Sequence, residues 1–106
     1  MNIIISLVAC PSQEVGAALA KLLVDRELAA CVHVLPQMQS VYRWKGEICT
    51  DQEVLLLIKT TSDLTDDVRK AVEENHPYEV PEFVVIKAAD VSEKYGAWLR
   101  QSVRAR

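Results

Sequence analysis

The 106-residue sequence predicts an α+β fold in which strands and helices alternate around one sheet. Short apolar runs bounded by Pro, Gly or Ser indicate strands, and segments whose apolar residues recur at helical spacing indicate helices. Their order is strand, helix, strand, strand, helix, strand, with a further helix at the C-terminus. This order is the split βαβ, or ferredoxin-like, plan. We expect a single domain over residues 1–106, since this length supports one compact core.

The first elements are a strand, a helix and a second strand. Residues 3–9 form a short apolar run that is typical of a buried strand. Ser12 is placed to cap the helix that follows, which is expected to end near residues 25–27. Its apolar stripe consists of Val15, Ala18, Leu19, Leu22 and Leu23. Residues 30–35 form the second strand.

The centre of the chain predicts a long β-hairpin. Beyond Pro36 the residues alternate, with Tyr42 and Trp44 on one face and Val41 and Arg43 on the other. Gly46 supplies the turn, so the second strand is expected to continue past Pro36 as one arm of the hairpin. The returning arm runs from about residue 48 to residue 61.

The last elements are a helix, a strand and a final helix. Ser62 is expected to cap the helix, and Pro77 prevents its continuation. Residues 83–86 predict the fourth strand. Residues 92–103 predict an amphipathic helix built on Tyr95, Trp98 and Leu99.

The predicted strands are apolar on both faces. Residues 3–5, 55–58 and 84–86 do not alternate between apolar and polar side chains. Antiparallel strands with one face in water normally alternate, so something is expected to cover the second face. We therefore expect a homo-oligomer that packs sheet against sheet, with the long hairpin as a clasp.

Composition limits the partners and the compartment. The net charge of −3 argues against a nucleic-acid binder, which would carry a basic face. No apolar stretch approaches the roughly 20 residues of a membrane helix, so no membrane contact is expected. The three widely spaced cysteines favour reduced thiols and a cytoplasmic location. No motif predicts an organic cofactor.

Four loops are expected to meet at one end of the sheet, if the first and third strands are parallel and the second and fourth run opposite to them. These loops carry Cys10, Cys31, Lys59 and the segment HPYEVPE at residues 76–82. A thiol, an imidazole, an ammonium group and carboxylates would gather there, on a bend that two prolines hold rigid.

Each of these residues also has a purely structural interpretation. His76 is compatible with a turn residue before a proline, and Cys10 and Cys31 with small buried hydrophobes. His33, inside an apolar strand, predicts a packed histidine. The hairpin aromatics are compatible with an interface role.

Four segments resemble the CutA divalent-cation tolerance proteins. They are AACVHVLPQMQSVYRWKGEI at residues 29–48, EVLLLIKTT at 53–61, HPYEVPE at 76–82 and YGAWL at 95–99. The resemblance implies a ferredoxin-like fold, a tight homotrimer that is cytoplasmic in bacteria, and a link to copper and other divalent ions.

The resemblance implies a metal site in part. Copper-binding members have a cysteine late in the first strand and two adjacent histidines before Pro-Tyr. Here His76 matches the second histidine, Asn75 stands at the first, and Val8 at the cysteine, with Cys10 two residues further on. We therefore expect a weak site for copper or another divalent ion at His76 and Cys10, since thiolate and imidazole suit such ions.

The resemblance also implies an intersubunit cleft for a ligand. The residues expected there, besides His76, are Tyr42, Trp44, Lys59, Tyr78, Glu82 and Cys31. The leading hypothesis is a non-catalytic trimer that binds metal ions. The alternative is a signalling trimer, similar to the PII regulators, that holds a small anion near Lys59. A hydrolase of the acylphosphatase type is disfavoured, because the loop at residues 9–12 has no Arg.

Overall fold

The computed structural model describes residues 2–105 and confirms the predicted order of elements. A 3₁₀ turn, Ser62–Leu64, precedes the second α-helix. The elements are β1 (Ile3–Cys10), α1 (Gln13–Asp25), β2 (Cys31–Trp44), β3 (Glu47–Thr61), α2 (Thr65–Asn75), β4 (Val84–Lys87) and α3 (Glu93–Gln101). Within residues 2–105, no helix has both the length and the apolar character needed to cross a membrane.

The four strands form one sheet in the order β2-β3-β1-β4, and every neighbouring pair is antiparallel. The expectation that the first and third strands are parallel is wrong, because Ile3 pairs with Thr61 and Cys10 with Val54. Helix α1 returns the chain to the end of the sheet where β1 began, so β2 runs in the same direction as β1. The hairpin then reverses the chain, and β3 must run opposite to both.

This reversal separates the four loops into two groups at opposite ends of the sheet. The end of β1 at Cys10 lies with the bend that follows α2. Cys31 begins β2 and pairs with Lys59 near the end of β3, at the opposite end of the sheet. The predicted gathering of Cys31 and Lys59 with Cys10 and His76 is therefore wrong within one chain.

Helices α1 and α2 cover one face of the sheet and bury its side chains. The core includes Val8 of β1 and Leu56 of β3, packed with Leu23 of α1 and Val72 of α2. The opposite face is also apolar but is less covered: its central residues are half-buried, and all of β4 is exposed. The prediction of strands that are apolar on both faces is confirmed.

The capping side chain predicted from the sequence is present at the start of α1 and absent at the start of α2. The backbone N–H of Val15 donates to Ser12 Oγ over 3.2 Å, which confirms the predicted cap of α1. The predicted Ser62 cap is wrong, because Leu64 occupies the N-cap of α2 and no side chain caps it. The intervening 3₁₀ turn moves the helix start, and the Ser62 carbonyl instead accepts from Thr65 Oγ1 over 2.7 Å.

Strand β2 continues through Pro36 to Trp44, as predicted, but a β-bulge interrupts it. Leu35 pairs with Leu55 whereas Met38 pairs with Glu53, so β2 has one residue more than β3 at this point. Gln37 adopts a positive φ of 27°, which few non-glycine residues do. Beyond the bulge, Tyr42 and Trp44 lie on the same face of the hairpin as Glu53. At the tip, Lys45 and Gly46 both have positive φ, as a type I′ turn requires.

Candidate binding pocket

A pocket of about 790 Å³ lies between the hairpin and the bend that follows α2. Its aromatic walls are Tyr42 and Trp44 from β2 and Tyr78 from the bend. Carboxylates from both sides face it: Asp51, Glu53, Glu79 and Glu82. None of the described residues that line the pocket is a Lys or an Arg. Within one chain, its charge is therefore negative.

Glu53 connects the two sides of the pocket. It lies on β3 where the strand leaves the body of the sheet, and only 8% of its surface is exposed. Tyr78 Oη donates a hydrogen bond to Glu53 Oε2 over 2.7 Å. Burial raises the pKa of Tyr78, and the hydrogen bond to Glu53 raises it further, so the phenol keeps its proton. Tyr78 therefore fixes the orientation of a carboxylate that has little access to water.

A second phenol and carboxylate pair lies further out on the hairpin. Tyr42 Oη donates a short hydrogen bond to Asp51. This bond, together with burial and the charge of Asp51, raises the pKa of Tyr42 to about 12. The bulge makes the pair possible, because it places Tyr42 on the face of β3 that carries both Asp51 and Glu53.

Two groups near Glu53, the Glu82 carboxyl and the Cys10 thiol, favour their protonated forms. Burial raises the pKa of Glu82, and the charge of Glu53 raises it further. Burial likewise raises the pKa of the Cys10 thiol to about 11, with a further contribution from Glu53. Both shifts oppose additional negative charge beside Glu53. A cation in the pocket would have the opposite effect and would be stabilised.

His76 is held by the backbone on both of its ring nitrogens. Nε2 donates to the Ala9 carbonyl over 2.7 Å, and the N–H of Tyr78 donates to Nδ1 over 3.1 Å. The residue is 8% exposed, and its ring lies 4.8 Å from the Tyr78 ring, centroid to centroid. His76 therefore joins the end of β1 to the bend, and metal binding would require it to give up one of these bonds.

Cys10 is fully buried in the core beneath the helices, in agreement with its structural interpretation as a small hydrophobe. Over residues 2–105, no group of three or more His, Cys, Asp or Glu side chains is arranged to hold a metal ion. A metal site at His76 and Cys10 would have two protein donors from one chain, and it stays a prediction.

The remaining predicted residues lie at the opposite end of the sheet. Lys59 Nζ sits 5.3 Å from the centroid of the Tyr95 ring and 3.4 Å from its hydroxyl oxygen, so Lys59 contacts α3. Cys31 is half-buried beside His33. Within one chain, the expectation that His33 is a packed histidine is wrong: the residue is exposed, because its side chain points to the less covered face of the edge strand β2.

Sequence reasoning therefore found four residues of the pocket and missed two central ones. Tyr42, Trp44, Tyr78 and Glu82 are brought together as expected. Asp51 and Glu53 were not expected there. The sequence signal for Glu53 was a carboxylate directly before the apolar run of β3. Its neighbours on β2 were not predictable from that signal, because they depend on the bulge.

The architecture defines a class of small α+β proteins: a four-stranded antiparallel sheet with two helices on one face, extended by a hairpin that walls an acidic, aromatic pocket. Family comparison agrees with this class, since the model of the CutA1 divalent ion tolerance protein matches residues 4–102. The chain belongs to the CutA1 family.

Individual relatives are similar over nearly the whole chain. The divalent-cation tolerance protein CutA of Thermus thermophilus is 45% identical over 96 residues, covering 91% of this chain and 93% of its own length. The chloroplastic protein CutA of Arabidopsis thaliana is 41% identical over 95% of this chain, and the match spans 56% of its own length. This chain thus spans little more than half of such plant relatives.

A solved structure supports the fold directly. The crystal structure of CutA1 from Oryza sativa superposes with a TM-score of 0.97 at 39% identity, covering 100% of this chain and 97% of the other. The agreement extends over the sheet, the helices and the hairpin that forms the pocket wall.

Proposed function

We propose that this chain is a non-catalytic, cytoplasmic homotrimer that binds copper or another divalent metal ion and acts in divalent-cation tolerance. Membership in the CutA1 family supports the general role. The acidic pocket supports the cation: Asp51, Glu53, Glu79 and Glu82 face one cavity that no described cationic side chain lines. That charge pattern is the observation on which the proposal rests.

The carboxylates are the first donors that an entering ion would meet. Glu53 is already oriented by Tyr78, so little conformational entropy is lost when it binds. His76 is a further ligand only if Nδ1 exchanges the Tyr78 N–H for the metal. Cys10 is a ligand only after it loses a proton that burial helps it to keep. We therefore propose weak binding, with carboxylates as the main donors.

The homotrimer is proposed from the second apolar face of the sheet. Val84 and Ile86 of β4 and Leu35 of β2 expose side chains on this face, which α1 and α2 do not cover. Packing such side chains against another copy is favourable by about 1.5–3 kcal/mol for each one that becomes fully buried.

The alternative ligand, a small anion, requires positive charge in the cleft. Within one chain Lys59 lies at the other end of the sheet from the pocket, where it contacts Tyr95. An anion would therefore need a lysine from a neighbouring copy. The acidic pocket disfavours this alternative, and the metal-ion hypothesis remains the proposal.

The test is a calorimetric titration of metal-free protein with Cu(II) and with Zn(II). Glu53→Gln and Glu82→Gln are expected to weaken binding by about tenfold each, or about 1.4 kcal/mol. Glu14→Gln is the matched control, because Glu14 is an exposed carboxylate at the start of α1. If neither pocket variant changes the affinity, the ion does not bind in this pocket.

The role of His76 and Cys10 is tested separately in the same titration. Cys10→Ser and His76→Ala test whether each of the two predicted ligands contributes to the metal affinity. Broadening of the His76 imidazole NMR signals by Cu(II) reports contact without any substitution. If wild-type protein binds no metal while a carboxylate or a nucleotide protects it against thermal unfolding, the anion hypothesis replaces this proposal.

A further inference from the structure

Three aromatic side chains form walls of the acidic pocket and remain exposed within one chain. They are Tyr42 and Trp44 on the hairpin and Tyr78 on the bend. A metal ion would account for the carboxylates but not for these rings, since an indole and protonated phenols are not the donors that divalent ions prefer. A cavity of about 790 Å³, lined by aromatic rings and a few polar groups, is typical of a site for a small organic molecule.

Two carboxylates of the pocket are each oriented by a phenol. Tyr78 Oη donates to Glu53 Oε2 over 2.7 Å, and Tyr42 Oη donates to Asp51. Each phenol uses one carboxylate oxygen, so the other oxygen can accept a hydrogen bond from a ligand. Asp51 and Glu53 are separated by one position on β3, so they lie on the same face of the strand and about 7 Å apart along it.

We propose that the pocket binds a small organic diammonium ion, with one ammonium group at Glu53 and the other at Asp51. An extended chain of four carbons holds two amino nitrogens about 6 Å apart, which suits the spacing of the two carboxylates. The methylene groups between the nitrogens would pack against the aromatic walls. An ammonium group beside an aromatic ring is also attracted by the ring's quadrupole, most strongly over Trp.

The charge of the pocket favours a dication. Glu79 and Glu82 add two further carboxylates to the same cavity, and none of its described lining residues is a Lys or an Arg. Lys45 Nζ lies 5.8 Å from the centroid of the Trp44 ring, although Lys45 itself does not line the pocket. This contact shows that the indole accommodates an ammonium group beside it.

The pocket is compatible with the proposed homotrimer. The bend of the same chain lies over the part of the sheet that carries Glu53, as the hydrogen bond from Tyr78 and the 8% exposure of Glu53 indicate. The apolar residues proposed to pack between copies, Leu35, Val84 and Ile86, do not line the pocket. An organic ammonium ion needs no water ligands, so its binding does not require the packed face of the sheet to be open to solvent.

The experiment titrates the metal-free full chain with 1,4-diaminobutane and, separately, with butylamine in a calorimeter. The diamine is expected to bind at one molecule per chain and at least about tenfold more tightly than butylamine, because only the diamine engages both carboxylates. Asp51→Asn should abolish this difference, since Asn can still accept from Tyr42 but carries no charge. Equal affinity of wild-type protein for the two amines, or no binding of the diamine, would overturn the proposal.

The contribution of the aromatic walls is tested at Trp44. Trp44→Leu should weaken diamine binding by about tenfold, whereas Trp44→Phe keeps an aromatic face and should retain most of the affinity. Glu14→Gln is the control for the carboxylates, because Glu14 is exposed at the start of α1 and should not affect diamine binding. Unchanged diamine affinity in Trp44→Leu would also overturn the proposal.

The amine and metal titrations are separate measurements, so the two proposals can fail separately. The inference does not depend on metal binding, although both ligands would use Glu53 and should compete for the pocket. Diamine binding by a protein that binds neither Cu(II) nor Zn(II) would support this inference and remove the metal ion. Metal binding without diamine binding would remove this inference alone.

Discussion

His76 connects two segments of backbone that are 67 residues apart in the sequence. Its ring accepts from one segment and donates to the other, so neither polar group needs water. A buried imidazole with two backbone partners is a structural connector, and this role accounts for the rigid geometry of the bend. Pro77, which follows His76 directly, restricts the backbone at the start of the bend.

His76→Ala should lower the free energy of unfolding by at least about 2 kcal/mol, because it removes the partners of a buried carbonyl and of an amide. Urea unfolding in metal-free buffer measures the change. Lys21→Ala is the control, since Lys21 is exposed on α1, away from the sheet face proposed to pack between copies, and its loss should change stability by no more than about 0.5 kcal/mol. Equal effects of the two substitutions would contradict the connector role.

Glu82 provides a pH-dependent prediction. Burial, and then the charge of Glu53, raise its pKa in the folded state. The protonated form therefore favours folding: its contribution is complete below the pKa of the unfolded chain and is lost as pH rises through the folded pKa. At neutral pH the ionised side chain opposes folding.

Glu82→Gln should consequently be more stable than wild type at pH 7 in metal-free buffer. The difference should shrink as the pH falls below the ordinary carboxyl range of about 4. Chemical denaturation at both pH values measures it. A variant that is less stable than wild type at pH 7 would show that the carboxylate makes a favourable contact in the folded protein.

Single residues also show what the sequence could and could not predict about the pocket. Tyr78 and Glu82 belong to a short segment whose prolines limit its shape, so their joint location was predictable. In an unbroken register from Leu35 and Leu55, Tyr42 would face away from Glu53 and Asp51; the bulge takes up one residue of β2 and brings them to the same face. Such a bulge changes the face of every later residue, and no hydrophobic pattern at Pro36 or Gln37 announces it.

At the scale of the elements, α1 lies very close to β3. A Cβ atom on Gly16 would be 2.9 Å from Val54 Cγ2 and 3.3 Å from Val34 Cγ1. Both contacts involve short β-branched side chains that have little freedom to move. Gly16 therefore sets the distance between the helix and the sheet.

Gly16→Ala is expected to destabilise the protein, because overpacking costs about 1–3 kcal/mol and outweighs the gain in helix propensity of about 0.5–1 kcal/mol. Gly96→Ala in α3 is the control. There the nearest atom, at 3.0 Å, is the end of the flexible Arg100 side chain, so the substitution should be neutral or stabilising. Thermal unfolding of both variants gives the sign, and equal signs would contradict this account of α1 packing.

The elements also explain the error in strand direction. Hydrophobic spacing predicts which segments are strands and helices, and it did so within a few residues throughout. It does not predict which ends of those strands meet. Direction follows from the crossover and the hairpin, and when both are traced, Lys59 cannot share an end with Cys10.

At the scale of the whole molecule, the uncovered sheet face predicts self-association. Ile86 is 48% exposed on that face, and Val24, on α1, is 43% exposed. Ile86→Glu should yield smaller species in sedimentation at micromolar concentration, whereas Val24→Glu should not. Wild-type unfolding should shift to higher temperature with protein concentration by mass action. A stable folded monomer of wild-type protein would contradict the homotrimer.

The bulge at Gln37 makes the direction of the hairpin arm independent of the residue pairing along it. The pairs on either side of it, Leu35 with Leu55 and Met38 with Glu53, would remain in step if the additional residue were deleted. The chemistry of the pocket wall would then be preserved. A bulge also bends and twists its strand, so the same deletion would turn the arm in a new direction. The length of the chain at this joint therefore controls where the arm points, and hence which neighbouring surface it reaches, independently of what the pocket binds.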